Sequence, residues 1–136
     1  MKKAVFNNHS GLCLPSVLCS RANAVAFIKG GESKPDKVGS VLFYQTSDGV
    51  VVFAEISGLP KLQGACDDGI FGFHIHKGTD CGGNMQEPFA DAMQHFDLAD
   101  CAHPHHAGDL PPLFGNDGLA VSAFLTNRFS VDEVLG

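Results

Sequence analysis

Two imidazoles stand two residues apart in the segment Gly72-Phe73-His74-Ile75-His76. The run Phe71–Lys77 around them, rich in aromatic and β-branched residues, reads as a β-strand. Strand side chains alternate faces, so His74 and His76 point the same way, roughly 7 Å apart along the strand. Phe71, Phe73 and Ile75 then point the other way, toward a core. Two rings so spaced can converge on one metal ion. Histidine returns further on as His95, His103, His105 and His106, followed by Asp109. Neutral imidazole is the commonest metal ligand, and a carboxylate oxygen completes a set that suits a zinc-like ion. Three such ligands and a water would also make a hydrolytic zinc site. No HExxH pattern supplies the general base for that reaction.

These donors need a scaffold, and the rest of the chain reads as strands. Ala24–Lys29, Ser40–Thr46 and Val50–Ser57 precede Phe71–Lys77, and all four are rich in Val, Ile, Phe or Tyr. Turn-forming stretches separate them, and Ser47-Asp48-Gly49 predicts a tight hairpin. Sixteen glycines and seven prolines favour short strands and turns over helices, so the expected class is an all-β sandwich or barrel. Residues 78–118 carry little strand pattern. A loop of that length in a compact domain is functional or disordered, and metal ligation would order it. Leu119–Leu125 resumes as a strand. Val131–Leu135 predicts a helical turn with Ser130 as cap and Glu133 at the box position. The expected division is a flexible leader over 1–22 and one domain over 23–136.

Composition narrows the function. Fifteen acidic against nine basic residues give a net charge of −6, which argues against nucleic acid, whose phosphates need Lys and Arg clusters. No apolar run approaches ~18 residues, so no membrane span is expected. The basic start resembles a signal peptide, but Asn7, Asn8, His9, Ser10 and Gly11 break its apolar stretch, and a cytoplasmic location is favoured over secretion. The five cysteines form no CxxC pair, which argues against a zinc ribbon or a thioredoxin-like site. Cys66 reads as a plain thiol in a turn. Cys101 lies beside the second histidine group.

GFHIH, then His95-Phe96 after a loop, then a histidine group running into HAGDL, resembles the copper/zinc superoxide dismutases. The bacterial variants with an HAGDLPPLF run are most similar, and the resemblance covers residues 22–136. It implies a Greek-key β-sandwich or barrel with a long metal-binding loop, and disproportionation of superoxide at a copper site bridged to zinc. By motif, His74 and His76 match copper ligands. His95 matches the bridging histidine, which leaves copper on reduction and carries a proton to the forming peroxide. His103, His106 and Asp109 match the remaining zinc ligands. The interval from His103 to His106 is shorter than in eukaryotic members, which makes His105 a rival ligand. The family continues past the position of Gly136 with another copper histidine, a guiding arginine and a cysteine that pairs with the one matched by Cys81. The domain is therefore expected to be C-terminally incomplete. Lys77 and Arg128 are the nearby cations in sequence, and neither matches the guiding arginine. The implied cofactors are copper and zinc, and the implied partners are superoxide and, beyond it, a second copy of the chain. The alternative is a weak or inactive copper/zinc-binding module of the same fold.

Overall fold

The computed structural model describes residues 14–64, 66, 67 and 69–135. The sheet at its centre has four antiparallel strands: β1 (Ala24–Lys29), β2 (Val38–Thr46), β3 (Gly49–Ser57) and, after a long excursion, β6 (Ala120–Thr126), in the order β1-β2-β3-β6. The β2–β3 connection is the expected tight hairpin. Thr46 pairs with Gly49, and the Thr46 hydroxyl donates to the Gly49 carbonyl at 2.8 Å. Gly49 holds φ at 130°, a conformation that glycine adopts without a Cβ penalty.

Directly paired residues share a face, so the register sorts the sheet into two sides. Ala24, Phe43, Val52 and Phe124 form one row across the four strands, and Ala26, Val41, Ala54 and Ser122 the next. This side is the core. Val41, Phe43, Val52, Ala54, Ile56 and Ala120 are buried there with Leu59, Leu110, Leu113, Phe129 and Val131. The opposite side leaves Val25, Phe27, Val121 and Leu125 exposed.

The excursion between β3 and β6 carries the histidines. The expected strand Phe71–Lys77 is shorter than its pattern. Only Ile70–Phe71 is regular (β4), paired with β5 (Leu113–Phe114) in a second, two-stranded sheet. Beyond it the chain makes isolated bridges, His74 to Asp109 and His76 to His95. Its partners there are brief loop segments, so no continuous ladder forms. The predicted facing survives: Phe71, Phe73 and Ile75 pack on the core, His74 is half-buried and His76 exposed. Residues 78–118 are more structured than their pattern suggests, with a 3-10 turn (Ala90–Ala92) as well as β5.

The chain closes with a short helix, α2 (Val131–Val134), where Glu133 accepts hydrogen bonds from the Ser130 amide and hydroxyl at 2.7 and 2.8 Å. That is the capping pair expected from sequence. Another short helix, α1 (Leu14–Leu18), buries no residue. Positions 1–13 of the expected leader, with His9 and Cys13, lie outside the described residues. Among those described, both sheets are antiparallel, no closed barrel forms, and no helix is long and apolar enough to cross a membrane.

Candidate metal centre

Three backbone hydrogen bonds tie together the three segments that carry the candidate ligands. The Phe96 amide donates to the Ile75 carbonyl at 2.7 Å, the Gly108 amide to Phe96 at 2.7 Å, and the Ile75 amide to Gly108 at 2.9 Å. The bonds close a ring. Ile75 lies between His74 and His76, Phe96 follows His95, and Gly108 precedes Asp109. Ligand spacing is thus set by main chain rather than by mobile side chains. Lys77 to Gln94 and Leu110 to Phe73 extend the pairing on both sides. Only glycine fits at 108, because a Cβ there would stand 2.4 Å from the Ile75 carbonyl oxygen.

Asp109 is the hub of the side chains. Its carboxylate meets His95 Nδ1 at 2.6 Å, His103 Nδ1 at 3.1 Å and His106 Nδ1 at 3.0 Å, and accepts the His106 amide at 3.0 Å. It is the buried charged residue of the described chain. Burial pushes its carboxyl up, but the bonds from His95, the His106 amide and His103 outweigh that and hold it well below the usual carboxylate range. His95 faces both histidine groups. Its ring stacks on His74 at 4.0 Å, stands edge-on to His76 at 5.1 Å, and stands edge-on to His103 and His106 at 5.5 Å. Burial first, and then the neighbouring His95, lower the His74 pKa. Neutral imidazole is the form that binds metal.

The donors fit an ion. Ligand atoms of His74, His95, His103 and Asp109 all lie within 4.8 Å of one another, and this mixed N/O set suits zinc. His74 stands in that group where the sequence reading has His106. His106 nevertheless reaches the same carboxylate, and its buried Nδ1 makes no hydrogen bond. A buried nitrogen left in this way calls for a partner such as a cation. At His76 the Met93 carbonyl can only accept, so the 2.8 Å contact puts the proton on Nδ1 and leaves the Nε2 lone pair for a metal.

The structure therefore gathers His74, His76, His95, His103, His106 and Asp109 in one place. His105 is exposed and is absent from these ring contacts; its amide bonds only to Ala102. Cys101 is exposed and its amide caps onto Asp97. Cys81 is a free thiol, as are Cys19, Cys66 and Cys101.

The model of the copper/zinc superoxide dismutase family (SODC) matches residues 37–136. The chain belongs to that family. A superoxide dismutase [Cu-Zn] of Legionella pneumophila is 30% identical over 139 positions, which cover 93% of this chain and 79% of that protein. Family membership makes the chain a relative of enzymes whose substrate is superoxide, and the His/Asp cluster resembles the family's zinc site.

One contributor escapes a sequence reading, and a second is legible there only as a nearby cation. Met93 holds φ at 62°, uncommon for a non-glycine residue, and turns its carbonyl to His76. Arg128 reaches back from just after β6 to the carbonyls of Asp109 at 3.0 Å, His106 at 3.2 Å and Pro104 at 3.4 Å. Backbone carbonyls leave no trace in residue type, so no pattern could have pointed to Met93 or to the partners of Arg128.

Proposed function

We propose that this chain is a superoxide dismutase with copper held by His74, His76 and His95 and zinc held by His95, His103, His106 and Asp109. One superoxide is oxidised to oxygen. A second is reduced and takes up two protons, giving hydrogen peroxide. Bound copper supplies the one-electron couple and bound zinc a fixed positive charge. The observation that carries the reading is the position of His95, a single ring packed on His74 and His76 and bonded through Nδ1 to Asp109. In the metal-free chain Asp109 orients that ring, a hydrogen bond that would give way when His95 and Asp109 hold zinc. The ring nitrogen of His95 away from Asp109 is then the place to hold the proton destined for peroxide. The Met93 carbonyl fixes the His76 tautomer, and the backbone ring through Ile75, Phe96 and Gly108 keeps the two donor groups in register.

The same reading takes the four-stranded and two-stranded sheets as parts of a Greek-key β-sandwich, with residues 23–136 as its domain. The exposed side chains Val25 and Phe27, together on the outer face of edge strand β1, support pairing with a second copy of the chain.

A second reading, a copper/zinc-binding module without turnover, is favoured by one observation. Arg128 bonds to backbone carbonyls rather than standing as a lone cation beside the histidines. Elemental analysis and superoxide consumption, measured on the purified chain loaded with both metals, separate the two. The dismutase reading expects one copper and one zinc per chain with turnover proportional to copper. Full metal content with no turnover would establish the binding module. Zinc alone, with no copper retained, would sink both.

A further inference from the structure

We infer that Arg128 is a positioning residue for the zinc-binding turn: its guanidinium gathers the carbonyls of residues 104–109 and sets His103, His106 and Asp109 before a metal arrives. The inference rests on the metal-site reading above. Three carbonyl oxygens, those of Asp109, His106 and Pro104, converge on the single atom Nη1. That nitrogen carries two hydrogens, so at least one is shared, and the 3.0 Å bond to Asp109 is the firmest. Two of the three carbonyls belong to candidate ligands and the third to the residue following His103.

The anchor of this side chain is rigid. The Arg128 amide donates to Thr126 Oγ1 at 3.2 Å at the end of β6. Phe129 is buried in the core, edge-on to Phe43. The Val131 amide donates to Gln45 Oε1 at 2.9 Å. The turn itself has little apolar grip, since His103, Pro104 and His105 are all exposed. The backbone ring at Gly108 holds it from one side, and Arg128 holds it from the sheet. Carbonyls directed at one point repel each other, and a guanidinium relieves that with charge-assisted bonds. The interval between His103 and His106 is the part that wraps the guanidinium.

The test uses the full chain with Arg128→Gln, Arg128→Lys and, as control, Asp109→Ala. Zinc affinity is read by competition with a chelator, turn order by hydrogen exchange of the 103–110 amides, and ligand geometry by the visible spectrum of the cobalt-substituted protein. Arg128→Gln is expected to weaken zinc by about 10-fold or more, the usual cost of losing an outer partner. It should also speed exchange in the turn and alter the cobalt spectrum. Arg128→Lys keeps the charge but not the planar fork, so it should restore part of each change. Should the Gln variant fail to fold, the Lys variant carries the measurement. Unchanged zinc affinity in both Arg128 variants, with Asp109→Ala releasing zinc, overturns the inference alone. Asp109→Ala that keeps full zinc overturns the metal-site reading with it. Arg128 also lines a cavity of about 570 Å³ with His74 and His103. Normal zinc affinity combined with a lost salt dependence of superoxide consumption would make it an anion guide instead.

Discussion

Gly108 lies directly against the carbonyl of Ile75, and its own carbonyl accepts from the Ile75 amide the hydrogen bond that joins the HAGDL turn to the HIH segment. A methyl group at 108 would stand 2.4 Å from that oxygen and 3.1 Å from Phe96 Cβ. Both neighbours are held in the same ring of hydrogen bonds, so neither can give way alone. Gly108→Ala should destabilise the metal-free chain by about 1–3 kcal/mol, the range for forcing extra atoms into a packed site. It should also reduce zinc affinity, because His95 and Asp109 lose register. Denaturant unfolding with and without zinc checks both effects. An unchanged midpoint would mean the three segments are not locked as described.

Much of this arrangement was legible in the chain. The alternation of Phe71, Phe73 and Ile75 with His74 and His76 gave the facing correctly, because period-2 patterning reports which side is buried. β1, β2, β3 and β6 were legible, to within two residues at their ends, as β-branched and aromatic runs between turns, and the Ser130/Glu133 pair announced α2. The extent of the strand at 71–77 was not, because a strand ends where its hydrogen-bond partners end, and those partners are distant loops. β5 was missed because two residues carry no period. Arg128 and Met93 act on or through carbonyls, which every residue possesses.

Asp109→Asn isolates the charge at the hub of the site. The amide keeps the shape but loses the anionic ligand and part of the contact with three imidazoles. Zinc affinity should fall by more than the ~10–100-fold typical of changing an outer partner. The carboxyl of Asp109 is held below its ordinary range. Its contribution to stability is therefore present above the unfolded value of about 3.9 and lost as pH falls through the lower folded value. The stability gap between the metal-free native chain and Asp109→Asn should narrow only below about pH 4. A gap that closes at pH 6 would place its origin in another group.

His74 gives the opposite kind of pH signature. Burial and the stacked His95 ring lower its folded pKa, against the pull of Asp109. The unfolded chain takes up this proton near the ordinary imidazole value of about 6.5, before the folded chain does. More protons are then bound unfolded than folded, so the metal-free protein should lose stability as pH drops from about 6.5 toward the folded value. Urea midpoints from pH 7.5 to pH 5 measure the slope. His74→Gln removes this titration and should flatten it. An equally steep slope in the variant would assign the effect to other histidines.

His105 and His106 are adjacent, yet the structure separates their roles. His106 is half-buried, its Nδ1 lies 3.0 Å from the Asp109 carboxylate without a hydrogen bond, and its ring stands edge-on to His95. The His105 ring makes none of these contacts and its residue is exposed. Backbone geometry enforces the difference. The His106 amide bonds to Asp109 Oδ2 and its carbonyl accepts from Arg128, so His106 is pinned through both of its peptides. His105 sits at the outside of that bend. His106→Ala should therefore release zinc almost completely and change the visible spectrum of the cobalt form, while His105→Ala should leave both within about twofold, as a surface change does. Chelator competition on the two variants side by side decides it. Zinc loss in His105→Ala with retention in His106→Ala would reverse the ligand assignment, and would require the 103–106 turn to rotate once metal is bound.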